Sequence, residues 1–296
     1  MLNLKRSPIV SVCIYSILAV GSVVMLYPFM FMVLASLGSN TDYYSTVIVP
    51  IPTQLHFMQY ITVFASPTVY LLYWNTFIRC SWYIFVNCLV ALVCGYVFSK
   101  LRFRGKNTIF IILLATMMIP GQVTLIPNYL ILARWPLAGG NNIMGAGGHG
   151  LLDSWGALFI LNVSLVYFIF LMKQSMESIP YEYEEAARVD GANVMHVIFR
   201  IYAPMVKPVL AAIVIMTFIG VWNDYLYPLV VISTPSKNVI ATGIASLMLK
   251  ATASGQIPNY PEIFSLSTIA VFPPIFVYLF LQKYFIEAFT ATGIKG

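Results

Sequence analysis

Ser178-Ile179-Pro180-Tyr181-Glu182-Tyr183-Glu184-Glu185-Ala186-Ala187-Arg188-Val189-Asp190-Gly191-Ala192-Asn193 is a polar island in an otherwise apolar chain. Its order of residues predicts one short helix with marked ends. Pro180 is preset for a first helical turn, and Glu182, Glu184 and Glu185 complement the positive start of a helix. Gly191 suits the left-handed residue that closes a helix, and Asn193 can cap the next one. Ala186 and Ala187 are small enough for another protein to approach the backbone. A solvated surface helix and a docking element fit this pattern equally well.

Outward from the island the chain turns apolar on both sides. Of 296 residues, 60% are hydrophobic and 9% charged, and the mean hydropathy is +0.85. Soluble domains carry roughly a quarter charged residues, so these apolar groups must face lipid or one another. A membrane-spanning helix needs roughly 20 apolar residues to cross about 30 Å of hydrocarbon. Six stretches qualify, approximately 9–35, 73–99, 107–133, 154–172, 205–232 and 263–285, and they predict a single all-α transmembrane domain over 1–296. The first run follows Lys5 and Arg6 but is about twice the length of a signal-peptide core, which favours an uncleaved anchor.

Basic residues set the expected orientation. With the N-terminus inside, the inner segments and their borders hold 12 of the 16 lysines and arginines, leaving Arg79, Arg134, Lys237 and Lys250 for the other face. This asymmetry predicts both termini in the cytoplasm and accounts for the net charge of +6 without nucleic acid. The polar island then lies inside, in a loop over 173–204. The outer segments are a Ser-, Thr-, Tyr- and Pro-rich stretch over 37–72 and a glycine-rich loop from Trp135 to Asp153, read as irregular structure. The third apolar run, with Pro120-Gly121-Gln122, Thr124, Pro127 and Asn128, reads as a broken helix beside a translocation path or buried against a neighbour.

Motifs of catalysis are missing from the sequence. No Gly-x-x-x-x-Gly-Lys-Ser/Thr loop offers an ATP site, the three histidines are scattered, and the four cysteines (Cys13, Cys80, Cys88, Cys94) lie in apolar runs without metal-ligand spacing. No enzyme active site and no resident metal or cofactor is expected.

Glu185-Ala186-Ala187, then three residues, then Gly191, about 100 residues from the C-terminus, resembles the EAA loop of ABC importer permeases. The resemblance implies the type I importer fold. It makes this helix the coupling element that docks on an ATPase subunit, with Glu185 facing a basic group, Ala186 and Ala187 in close contact and Gly191 at the bend, and with Asp190 and Ala192 counted among the coupling residues. ATP and Mg would be bound by two partner ATPase subunits. A second, homologous permease (a heterodimer) and an extracytoplasmic sugar-binding protein are the other implied partners, in a bacterial inner membrane. Lys100-Leu101-Arg102-Phe103-Arg104-Gly105-Lys106, Met118 to Pro127, and Trp222-Asn223-Asp224-Tyr225-Leu226-Tyr227-Pro228-Leu229 resemble the carbohydrate branch typified by the smaller maltose permease subunit. The tail, Gln282 to Phe285 and Gly293-Ile294-Lys295-Gly296, also fits that branch. It would reach between the ATPases.

Candidates for the substrate path come from polar residues in apolar runs. Asp224 lies about 19 residues into the fifth run, roughly 28 Å from its inner end. Arg79 lies a turn or two below the outer end of the second. They read either as an ion pair, with snorkelling of Arg79 as a variant, or as a site where Arg79 meets a uronate carboxylate through paired hydrogen bonds. Trp222, Tyr225 and Tyr227 suit sugar stacking or an interfacial belt, Gln122, Thr124 and Asn128 suit sugar hydroxyls or helix contacts, and Asn223 is a further candidate on the path. A secondary transporter driven by an ion gradient is the competing function. It should carry mid-membrane carboxylates and an inverted repeat, and neither is evident.

Overall fold

A chain in hydrocarbon must satisfy its backbone groups internally, which restricts lipid-exposed segments to helices or closed barrels. This chain takes the helical solution. The computed structural model describes residues 8–45, 48–160, 165–253, 255 and 257–293, and every regular element among them is helical. In order they are α1 (Pro8–Leu37), α2 (Asn40–Ser45), α3 (Met58–Ala65), α4 (Pro67–Lys100), α5 (Lys106–Thr116), α6 (Gly121–Ala133), α7 (Trp155–Ile160), α8 (Leu165–Glu177) and α9 (Glu182–Val189). The short α10 (Val194–His196) leads into a π-wound segment (Val197–Tyr202) and α11 (Ala203–Met205). Then come α12 (Lys207–Trp222), α13 (Leu226–Val231), α14 (Ile240–Ala253) and α15 (Tyr260–Gly293). Lys5, Arg6 and Ile294-Lys295-Gly296 lie outside the described residues, as do 161–164 in the fourth expected run.

Among the described residues, α1, α4 and α15 are long and apolar enough to span a membrane, the stretch Trp155–Glu177, which runs across residues outside the description, is a fourth candidate, and six spans result if each of two bent pairs counts as one. One bend breaks the third expected span, in keeping with its broken-helix reading, and the other corrects the bounds of the fifth. The third is no single rod, because α5 and α6 meet at 95°. Residues 117–119 tighten into i→i−3 hydrogen bonds before Pro120 turns extended at ψ 135°. The fifth begins earlier than residue 205, with 194–205 meeting α12 at 82°. Pro208 lacks the amide that would continue the ladder there. At its other end α12 stops at Trp222, so Asp224 sits in a break before α13 and not within a helix. The apolar α14 went unread, and α2 and α3 order parts of the expected outer stretch.

The chain divides into two compact units, residues 1–69 with 244–272 and residues 70–243 with 273–296. In the first, the Tyr43 and Tyr260 rings stack at 4.4 Å, the Tyr260 amide donates to Asn40 Oδ1 at 3.1 Å, and Ser36 Oγ lies 2.6 Å from the Tyr60 hydroxyl. In the second, Ala91, Leu92 and Tyr96 of α4, Phe168, Met172 and Met176 of α8, and Val197, Ile198, Tyr202 and Ile213 share one buried cluster. Gly95 permits that approach, since a Cβ there would fall 2.4 Å from Met172 Cγ.

The glycine-rich loop is built more closely than irregular structure implies. Buried Asn141 donates to the carbonyls of Ala133 and Trp135 and accepts from the Gly148 amide. Gly145 takes φ +73° with its α-carbon so near Arg134 that a Cβ would lie 2.1 Å from that carbonyl oxygen. A side chain does not fit there, which explains the glycine.

Candidate functional site

Two places in the second unit gather the chemistry. The first is a cavity of about 240 Å³ lined by Arg79, Tyr83, Asn87, Thr217 and Asp224 together with apolar Phe168 and Met216. Arg79 projects from α4 and is 1% exposed. Its Nη2 donates to Asp224 Oδ2 at 2.5 Å, and Asp224 Oδ1 accepts the Tyr227 amide at 3.4 Å. The break after Trp222 brings Asp224 to this position, because a continued helix would have carried it onward. The pair therefore forms, as one of the two sequence readings held.

One carboxylate oxygen does not satisfy a guanidinium with five N–H donors. Nε and Nη1 of Arg79 are buried without a hydrogen-bond partner, while the rings of Tyr83 and Tyr227 stand 5.4 and 5.8 Å from its Cζ. Asn87 donates to Thr217 Oγ1 at 3.0 Å, and its own Oδ1 is unpartnered. The cavity thus offers two cationic donors and one amide acceptor, a set suited to a polar, oxygen-rich guest. Asn87 and Thr217 were missed from sequence, although an amide inside an apolar run is the same signal that picked out Arg79.

The other substrate-path candidates lie apart from this cavity. Trp222 is 4% exposed, with its indole stacked on Phe218 at 5.2 Å and edge-on to Tyr73 at 5.8 Å. Asn223 is exposed and donates to the Ile219 carbonyl at 2.9 Å, and Tyr225 is half-buried. On α6, Gln122 is exposed, Thr124 donates to the Gly121 carbonyl at 2.8 Å, and Asn128 is half-buried. None of these lines the Arg79 cavity.

The second place is α9. Its C-terminal end closes as the sequence implies: Gly191 adopts φ +82°, the Gly191 amide donates to the Arg188 carbonyl at 3.0 Å, and the Ala192 amide donates to the Ala187 carbonyl at 2.9 Å. Asn193 Oδ1 then accepts the His196 amide at 2.8 Å, capping α10. At the other end the helix begins at Glu182, two residues later than Pro180 implied. Glu185, Ala186, Asp190 and Gly191 are exposed, whereas Ala187 and Ala192 rest half-buried on the core. Val189 stands 88% exposed among them.

Glu184, one residue before the quoted motif, points the other way and is wholly buried. Tyr96 and Arg188 donate to its Oε1 at 2.7–2.9 Å, and the Tyr202 hydroxyl donates to its Oε2 at 3.2 Å. Hydrogen bonding to this carboxylate pushes the Arg188 guanidinium above its ordinary pKa. Nothing in the spacing signalled that Tyr96 and Tyr202, 106 positions apart in number, would meet one carboxylate.

Residues 88–290 match the family described as binding-protein-dependent transport system inner membrane component. An arabinooligosaccharides transport system permease protein, AraQ of Halalkalibacterium halodurans, is 26% identical over 99% of both chains. A lactose transport system permease protein, LacG of Rhizobium radiobacter, is 26% identical over 97% of both. In fold, the chain is similar to one in a bacterial ABC transporter involved in import of the acidic polysaccharide alginate, with TM-score 0.79, 23% identity and coverage of 96% and 99%. With most of its length inside that family's domain, this chain belongs to the inner membrane components of binding-protein-dependent transport systems and is an integral membrane permease.

Proposed function

We propose that this chain is a permease subunit of an ATP-driven importer of sugars or oligosaccharides, coupled to its ATPases through α9. The observation that carries the reading is the construction of α9: a short helix with a closed glycine end, an exposed Glu185-Ala186 surface and a back seated on the membrane helices. The names of relatives support a carbohydrate cargo, since arabinooligosaccharide and lactose permeases match along nearly the whole chain. The implied partners are a second permease, two ATPase subunits that hold ATP and Mg, and an extracytoplasmic binding protein. Both termini face the cytoplasm, in line with the basic residues. ATP-driven closure of the ATPases would shift a two-state equilibrium between outward- and inward-facing forms through α9. Ala186→Cys in a cysteine-free background should crosslink to an ATPase subunit in the assembled complex, and absence of any such product in an active complex would refute the docking role.

A specific observation favours an acidic cargo. Arg79 keeps two unpartnered donors, Nε and Nη1, at the wall of a polar cavity, where an acidic guest could meet them through single charge-assisted hydrogen bonds. The similar fold of a chain from an alginate importer is consistent with it. Arg79→Gln should lower uptake of uronate oligosaccharides by about tenfold or more, the range of one lost charge-assisted contact of about 1.5–3 kcal/mol, while neutral sugars change little. Equal uptake of acidic sugar by the variant would remove the idea.

A further inference from the structure

We propose that Glu184 is the positioning residue through which movement of α9 reaches the membrane helices. The inference rests on the reading of α9 as the ATPase-docking helix and concerns a different residue from the exposed motif. A helix of eight residues has little stability of its own. Its exposed face carries Glu185, Ala186, Val189 and Asp190, and the face beneath offers mainly the small side chains Ala187 and Ala192 to the core. Small apolar contacts can slide. A buried carboxylate cannot easily let go of its donors, because an ion left unpaired away from water costs several kcal/mol.

The four hydrogen bonds to Glu184 join three elements. Tyr96 belongs to α4, Tyr202 ends the π-wound segment that runs to the break before α12, and Arg188 belongs to α9 itself. The Tyr96 and Tyr202 rings lie 5.7 Å apart. A second tether acts just ahead of α9, where Lys100 Nζ donates to the Ile179 carbonyl at 2.5 Å. A push on the outer face of α9 therefore displaces the ends of α4 and of the 194–205 segment together with it. Glu185 meets the partner, and Glu184 transmits the motion inward.

The test uses the complete complex with its partner permease, ATPases and binding protein, reconstituted in vesicles, with sugar uptake and ATP hydrolysis measured together. In Glu184→Ala, uptake per ATP hydrolysed should fall by at least about fivefold, the lower bound of a typical coupling energy, while hydrolysis persists. A merely structural role would lower assembled yield, uptake and hydrolysis together and leave that ratio unchanged, which would overturn the proposal. If Glu184→Ala does not assemble, the Tyr96→Phe/Tyr202→Phe double variant decides. It keeps both rings and the Arg188 pair, and the ratio should drop by about threefold or more for the lost hydrogen bonds. An unchanged ratio in the double variant overturns the role of Glu184. Wild-type hydrolysis indifferent to sugar-loaded binding protein would overturn the coupling reading itself, an outcome visible before any variant is compared.

Discussion

Arg79 and Asp224 are unequal partners, because the arginine is 1% exposed and the aspartate side chain 18%. Removing one member of a buried pair leaves the other uncompensated, and the more buried ion suffers more. Asp224→Asn should therefore destabilise the protein by about 3 kcal/mol or more, and Arg79→Met by less, with the Arg79→Met/Asp224→Leu double variant milder than Asp224→Asn. Thermal unfolding in detergent gives the order, and a reversed order of the single variants would contradict this account of the pair. Asp153 makes a second, pH-dependent prediction. It accepts hydrogen bonds from the Thr234 hydroxyl and from the amides of Thr234 and Ser233, which hold its carboxyl below the ordinary range. Its contribution is thus complete above the ordinary carboxylate pKa of about 3.9 and is lost as pH falls through the lowered folded value. The protection of the Thr234 amide against hydrogen exchange, taken relative to its intrinsic rate at each pH, should fall in acid for the wild type, and in Asp153→Asn it should be lower throughout with little further acid response. At this scale the sequence revealed charged residues in apolar surroundings. It could not reveal which oxygen each donor reaches, because Arg79 meets Asp224 only through the break after Trp222.

Among the elements, α9 was the most legible, since its signals are local: acidic first turn, closing glycine and a capping asparagine. Gly191 has open space where a Cβ would go, so its constraint is the left-handed backbone alone. Gly191→Ala should cost about 1 kcal/mol, and Gly191→Asn less, because asparagine tolerates that conformation. Reconstituted coupling should follow the same order, and equal behaviour of the two variants would show that φ is not the constraint. The breaks in the third and fifth spans were only half legible. Pro120 and Pro208 announce a lost backbone bond, but a bend of 95° or 82° depends on what packs on either side. The π-wound segment left no trace in composition, and the 14-residue α14 was too short to register as a span.

At the scale of the whole molecule, composition and hydropathy fix an all-helical membrane protein, and the family match over 88–290 makes it a permease. What hydropathy could not divide is the chain's two compact units, which draw on segments distant in sequence. The proposed link between sugar arrival and ATP use runs through α9. Its most direct test is binding-protein-stimulated ATP hydrolysis by the reconstituted complex, wild type against Glu185→Ala, over neutral and acidic oligosaccharides. Stimulation by one sugar class is expected in the wild type, with its collapse in an assembled Glu185→Ala complex. Equal stimulation in both would contradict the link.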